Sequence, residues 1–265
     1  MKIHALHCFG RPEGLGNPAL VIEDDASPIE ARQALARERD TTCVWIDPSP
    51  QDGVAGVVDF YYPHTRSPLC LHATLAAARV LFARDAGAAT LLVSTAQRGQ
   101  ALGLSRIEDE VFVQLEPQEL VQPDLPQGLL ARLLDAPGFT PVAPPRVASV
   151  GSPKLLVQVD DAATLHGLAP DLAAITAWGK EAGVNGLYVY CARPDGSYEG
   201  RNFNHLDPRL EDSATGVAAG ALSVLLGRGI TLLQGRATGR DCLIRTRVEG
   251  GKVFVGGRAD LARDR

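Results

Sequence analysis

Two short stretches of this sequence place reactive side chains directly ahead of small-residue helices. "HATLAAARVL" starts at His72, and "SATGVAAGAL" starts at Ser213, 213 − 72 = 141 residues later, with Glu211 and Asp212 immediately before it. A helix start carries unpaired N–H groups and the positive end of the helix dipole, so two such helices offer two places to hold an anion. Each stretch puts polar groups just ahead of its helix, an imidazole (His72) in one and a carboxylate (Asp212) in the other. The plainer reading stands beside this one: Ala-rich helices are common, and Asp212 suits a helix cap. A third candidate is Cys43 in "ARERDTTCVWID", where a charged helical run gives way to an apolar strand. Its thiol is either a small buried hydrophobe or, where a positive field lowers its pKa from about 8.5, a base. The five cysteines contain no C-x-x-C pair and the six histidines no H-E-x-x-H spacing, so no metal is expected.

The elements that must position these groups can be outlined from pattern. At 265 residues and 45% apolar content the chain can bury one large core or two medium ones. Its 26 basic and 31 acidic residues give a net charge of -5 with no basic block, so nucleic acid is not an expected partner. "MKIHALHCFG" lacks the apolar run of a signal peptide, and no segment approaches the roughly 18 apolar residues of a membrane span. A soluble, cytoplasmic protein with no membrane partner is expected. "SPIEARQALARER" predicts a helix capped by Ser27, with Pro28 at its first position and Glu30 completing a capping box, running to about residue 39. Strands are predicted near 44–46, 57–62, 91–95, 100–105 and 111–115, around the helix that begins at His72. Prolines recur over 117–145, around a helix in "QGLLARLLDA", as in a crossing between lobes. Beyond it come strands near 154–159 and 186–191, a helix in "PDLAAITAWGKEAG", and the helix following Asp212, with Gly229 as its stop.

"GLGNPALVI", "FYYPHTRSPLCLHATLAAARVLF", "RNFNHLDPRLEDSATGVAAGAL", "LLQGRATGRDCLIRTRV" and "VFVGGRA" together resemble, in order and spacing, the PhzF-like family of phenazine-biosynthesis-type isomerases, relatives of diaminopimelate epimerase and proline racemase. The resemblance runs from about Gly16 to Gly257. It implies an α+β fold of two pseudo-symmetric lobes, each a curved, mainly antiparallel sheet wrapped around a central helix, with the active site in the cleft between them. The lobes would be 1–120, with 253–265 returning to it, and 121–252. It also implies a homodimer that uses no cofactor and moves a proton on a small carboxylated, biosynthetic metabolite.

The family's "C-G-H-A-T" falls on Cys70, Leu71, His72, Ala73 and Thr74, and its "E-D-x-A-T-G-S" on Glu211 to Val217. By this match His72 and Asp212 are catalytic, while Cys70, Leu71, Ala73, Thr215, Gly216 and Val217 bind substrate, with Gly16 and Asn17 in a bordering turn. The family's "A-x-E-x-N-x-S-E-T" carries its main base, a Glu, which an ungapped count from Ala36 places at Cys43. Cys43 is therefore the third expected catalytic residue. Leu71, Val217 and Arg66 replace a family glycine, serine and acidic residue, and with His205 they suggest a substrate unlike that of the phenazine enzyme, with Arg66 at the substrate. A cysteine-dependent epimerase or racemase, using Cys43 and Cys70, and an idle small-molecule binding protein are the alternatives.

Overall fold

A computed structural model describes residues 1–11, 16–203 and 211–262, so His205 lies outside the described residues. The chain divides into two compact units, Met1–Leu115 with Gly256–Arg265, and Glu116–Val255.

The first unit contains β1 (Lys2–Cys8), β2 (Asn17–Glu23), α1 (Ile29–Glu38), β3 (Thr42–Asp47), β4 (Val57–Tyr61), β5 (Arg66–Ser67), α2 (Leu71–Arg84), β6 (Thr90–Thr95), β7 (Ala101–Ile107) and β8 (Glu110–Leu115). Its strands lie in the order β1-β2-β3-β4-β6-β7-β8, with β5 paired to β4. Both ends of that order, β1 and β8, touch α2, as do β2, β3 and β4, so the sheet curls around this helix. The sequence "LHATLAAARVLF" makes this possible: Ala73, Ala76, Ala77 and Ala78 are buried and bring strand backbones close on several sides. Gly256, in the returning segment, abuts β8 so closely that an added Cβ would lie 2.3 Å from the Val111 carbonyl oxygen.

Helix α1 covers the sheet's other face. Its Ala36 and Leu35 pack with Cys43, Trp45, Tyr61 and Ile22. Strand residues alternate between faces, so Cys43 and Trp45 point toward α1, while Thr42 and Val44 point to the α2 side. The N-cap of α1 is Pro28 rather than Ser27, with no side-chain cap. The Ser27 hydroxyl donates to Asp25 Oδ1 instead, at 2.7 Å.

The second unit contains α3 (Leu129–Leu133), β9 (Arg146–Ala148), β10 (Lys154–Gln158), α4 (Ala162–Gly167), α5 (Leu172–Ala182), β11 (Leu187–Ala192), β12 (Tyr198–Phe203), α6 (Gly216–Leu226), β13 (Thr231–Gln234) and β14 (Cys242–Glu249), and leads into β15 (Lys252–Leu261). Strand order is β14-β13-β12-β11-β10-β9, and α6 touches both end strands as well as β10. One sheet face is apolar: Leu155, Val157, Leu187, Val189, Cys191 and Phe203 pack against Leu133, Leu165, Ile175 and Trp178 of α3, α4 and α5. Alternation turns Lys154, Leu156, Tyr188, Tyr190 and Asn202 to the opposite face, where α6 lies. Helix α6 stops at Gly227 (φ 65°), two residues before the expected Gly229. The role of Gly229 is close approach, since a Cβ there would sit 2.6 Å from the Thr246 carbonyl oxygen. Among the described residues no helix is long and apolar enough to cross a membrane.

Candidate active site

In the first unit the polar group is built at the start of α2. Cys70 is its N-cap in an extended conformation, and Leu71, His72 and Ala73 form the buried first turn. Cys70 Sγ lies 3.4 Å from His72 Nδ1, and Tyr62 stands over the imidazole with ring centroids 6.4 Å apart. The Thr74 hydroxyl donates to the Cys70 carbonyl at 2.8 Å and fixes the turn. A thiol and an imidazole at this distance can pass a proton between them. Asn17 begins β2 opposite Cys8 and is buried. Gly16 precedes it where a Cβ would come within 2.4 Å of the Cys8 carbonyl oxygen.

Two expected site residues of this unit are placed elsewhere. Cys43 is enclosed on the α1 side among Trp45, Tyr61 and Ala36, and donates to the Thr41 carbonyl at 3.5 Å. Burial pushes its thiol up to about 11, with only a lesser opposing pull from Arg39. A thiol that stays protonated in an apolar pocket is packing, not a base. Cys43→Ala is accordingly expected to leave turnover unchanged while lowering unfolding stability by about 1–2 kcal/mol, as denaturant titration would show. A folded but inactive variant would return Cys43 to the site. Arg66 is likewise committed, donating through Nε and an Nη to both oxygens of Asp59 at 2.8 and 3.0 Å. It is paired with Tyr61 across β4 and β5, on the same face as Cys43.

In the second unit the group forms ahead of α6. Asp212 bridges to Asn202 of β12 through the backbone, and its Oδ2 accepts from the Thr215 hydroxyl at 2.6 Å. Gln234 locks the turn, its Nε2 donating to the Asp212 carbonyl at 2.8 Å and its Oε1 accepting from Tyr188 Oη at 3.1 Å. The first helical bonds run from Ala218 and Ala219 to the Thr215 carbonyl, so the amides of Gly216 and Val217 belong to the open first turn. The adjacent carboxylates Asp212 and Glu211 divide their work. Glu211 pairs with the Arg201 guanidinium, which also donates to the carbonyls of Leu165 and Leu168. Glu211 is thus taken up by Arg201, while the Asp212 carboxylate is held by the Thr215 hydroxyl.

Sequence reading missed Lys154, Tyr188, Asn202 and Gln234. Burial and the charges of Asp212 and Glu211 hold the Tyr188 phenol well above its usual range. Lys154 is enclosed, and burial pushes its amine down to about 8 against the opposing charge of Asp212. Because this folded-state value lies below the unfolded 10.5, the unfolded chain binds more protons between about pH 8 and 10.5, and stability from this group rises with pH across that window. The stability difference between this chain and its Lys154→Met variant, followed by denaturant titration across that window, is expected to show the rise. A pH-independent difference would contradict it. Asn202 is fully buried, and neither its Oδ1 nor its Nδ2 has a hydrogen-bond partner. Asn202→Leu is expected to raise stability by about 1–3 kcal/mol by removing this unmet polar burial, measured by thermal unfolding. Among the described residues no three His, Cys, Asp or Glu side chains are gathered closely enough to hold a metal.

A sheet curled around a small-residue helix, with polar side chains at that helix's start, defines an α+β protein of the diaminopimelate epimerase-like class. The chain belongs to the phenazine biosynthesis-like protein family, whose model matches residues 6–264. It is 28% identical over 265 residues to the "Uncharacterized isomerase YddE" of Salmonella typhimurium, covering 91% of this chain and 87% of that protein. The crystallised predicted epimerase of Pseudomonas aeruginosa superposes with a TM-score of 0.79 at 26% identity, covering 98% of this chain and 96% of the other. A hydroxyproline epimerase from Agrobacterium vitis shares the fold, with a TM-score of 0.62 at 11% identity over 98% of this chain and 90% of its own.

Proposed function

We propose that this chain is an isomerase that moves a proton on a small carboxylated metabolite without a cofactor, with Asp212 and His72 as the proton-trading groups. The observation that carries the reading is the setting of Asp212: a carboxylate fixed by the Thr215 hydroxyl at 2.6 Å beside the open first turn of α6. Backbone amides at such a turn favour an anion, and they stabilise the enolate-like charge that develops when a C–H next to a carboxylate loses its proton. The C–H electron pair enters that enolate. Return of the proton to another carbon moves the double bond, and return to the same carbon from the opposite side inverts the centre. Family membership, the isomerase name of the Salmonella relative and the epimerase title of the Pseudomonas structure favour the same chemistry.

A second reading, a cysteine-dependent epimerase, is favoured by the contact of Cys70 Sγ with His72 Nδ1 at 3.4 Å, which suits a thiolate–imidazolium pair. Deuterium wash-in tests both. Small amino and unsaturated carboxylic acids are incubated with the protein in D₂O and carbon-bound deuterium is read by mass. The first reading expects exchange that survives Cys70→Ala, and the second expects exchange that this change abolishes. Absence of exchange with every acid that stabilises the protein thermally would make the chain a binding protein.

A further inference from the structure

We propose that Arg201 is a positioning residue of the Asp212 site: by holding Glu211 on the α4 face of β12, it fixes the register in which Asp212, and not its acidic neighbour, is presented to Thr215 at the start of α6. The proposal rests on the reading of Asp212 as a proton-trading group. Arg201 and Phe203 share one face of β12, and the Arg201 guanidinium lies 4.8 Å from the centre of the Phe203 ring. Asn202, between them, points to the other face and bridges Asp212 in antiparallel fashion. That bridge sets Glu211 beside Phe203, so Arg201 reaches it diagonally across the ring. The reach ends in a two-pronged pair, Nε to Oε1 at 3.0 Å and an Nη to Oε2 at 2.8 Å. The other Nη donates to the Leu165 and Leu168 carbonyls at 2.9 Å, which anchors the buried guanidinium to α4.

The register needs such a reader because two carboxylates stand side by side. The pairing of Asn202 with Asp212 is an isolated bridge and not a ladder, and a slip of one residue exchanges the faces of Glu211 and Asp212. The other contacts of the turn do not tell the two acids apart. Gln234 donates to the Asp212 carbonyl and accepts from the Thr215 amide, and such backbone groups recur at every residue. The Thr215 hydroxyl donates to Asp212 Oδ2, a bond that a glutamate oxygen can also accept. A planar guanidinium anchored on α4 does discriminate, since it takes a carboxylate only on its own side of the strand. Glu199, the other acid of β12, is occupied by His166 at 2.7 Å and by Arg193 at 2.5 Å.

Two measurements on the full chain test this, the first without any substrate. The Thr215 amide, which donates to Gln234 Oε1 at 3.3 Å, is followed by amide hydrogen exchange against the amides of the central strand β11 in the same sample. In Arg201→Met and in Glu211→Leu it is expected to exchange at least about tenfold faster relative to β11, as a locally released turn does. In the D₂O wash-in with the same acids, each variant is expected to lose about 10- to 100-fold in carbon exchange per folded molecule, the cost of a misplaced reacting group. The double variant is expected to lose no more than about twofold beyond the larger single loss, because both changes release the same clamp. Glu211→Gln, whose amide oxygen still accepts from Arg201, is expected to stay within about threefold of the parent chain. Unchanged relative protection of Thr215 in Glu211→Leu overturns the proposal, whether or not Arg201→Met folds or any acid exchanges. Multiplication of the two losses in the double variant overturns it as well, since Arg201 would then act through the α4 carbonyls and not through Glu211. Undiminished carbon exchange in Asp212→Asn instead removes Asp212 from the chemistry, and the amide comparison still decides whether Arg201 fixes the segment.

Discussion

Asp212→Asn is expected to slow proton exchange by about 100- to 10,000-fold, the range lost when a positioned acid or base is removed. The substitution is nearly isosteric. The amide oxygen can still accept from the Thr215 hydroxyl, and the backbone carbonyl of residue 212 can still accept from Gln234, so the turn ahead of α6 keeps its shape. What disappears is a group able to take a proton from carbon. Stability is expected to fall by about 1–3 kcal/mol at pH 7, because the charge of Asp212, which favours the enclosed Lys154 ammonium, is lost. That loss should shrink as the pH rises through the lowered Lys154 midpoint, since a neutral amine needs no counter-charge. Exchange kinetics and unfolding titrations at pH 7 and pH 9 check both parts. Near-wild-type exchange in the folded variant would reduce Asp212 to a structural partner of Thr215.

The parts of this fold that were legible in the sequence are those fixed by local composition. The runs "HATLAAARVL" and "SATGVAAGAL" announce helices lined with small residues, and small residues are what allow a sheet to close around a helix. The misplacement of Cys43 shows where such reading fails. The turn between α1 and β3 includes Asp40 at φ 44°, a conformation that neither helix nor strand periodicity describes. A residue more or less in that turn flips every side chain of the following strand to the other face. The ungapped count reached Cys43, which faces α1; a count one residue shorter reaches Thr42, on the α2 side with Val44. Lys154 and Asn202 were illegible for a different reason. Both faces of β10 and β12 are buried, so neither strand shows the polar alternation that marks which side a residue takes. Only the pairing of Tyr188 with Asn202, known from the register, puts these groups on one face.

The largest expected effect on stability lies away from the proton chemistry, at Arg32. This guanidinium is buried under α1 and makes a two-pronged pair with Asp47, both bonds 2.7 Å long. It also donates to the carbonyls of Ser27 and Asp25 and lies 5.3 Å from the centre of the Trp45 ring. Trp45 Nε1 in turn donates to Asp25 Oδ2 at 2.8 Å, so one side chain ties α1, β3 and the 24–28 connection together. Arg32→Met keeps most of the aliphatic stem but leaves Asp47 without its cation and two carbonyls without donors. Breaking a buried pair from one side costs about 3–5 kcal/mol. Arg32→Lys is expected to recover less than half of that, because a single ammonium cannot reproduce the planar fork. Trp45 reports the unfolding directly through its fluorescence, and the cycle with Asp47→Asn isolates the pair: the double variant should be more stable than the sum of the two single losses. Exchange per folded molecule should survive, because Arg32 and Cys43 share the α1 side of the sheet while His72 belongs to α2 on the other. A proportionate loss of exchange in folded Arg32→Met would instead make the α1 face part of the chemistry, and Cys43 would have to be reconsidered with it.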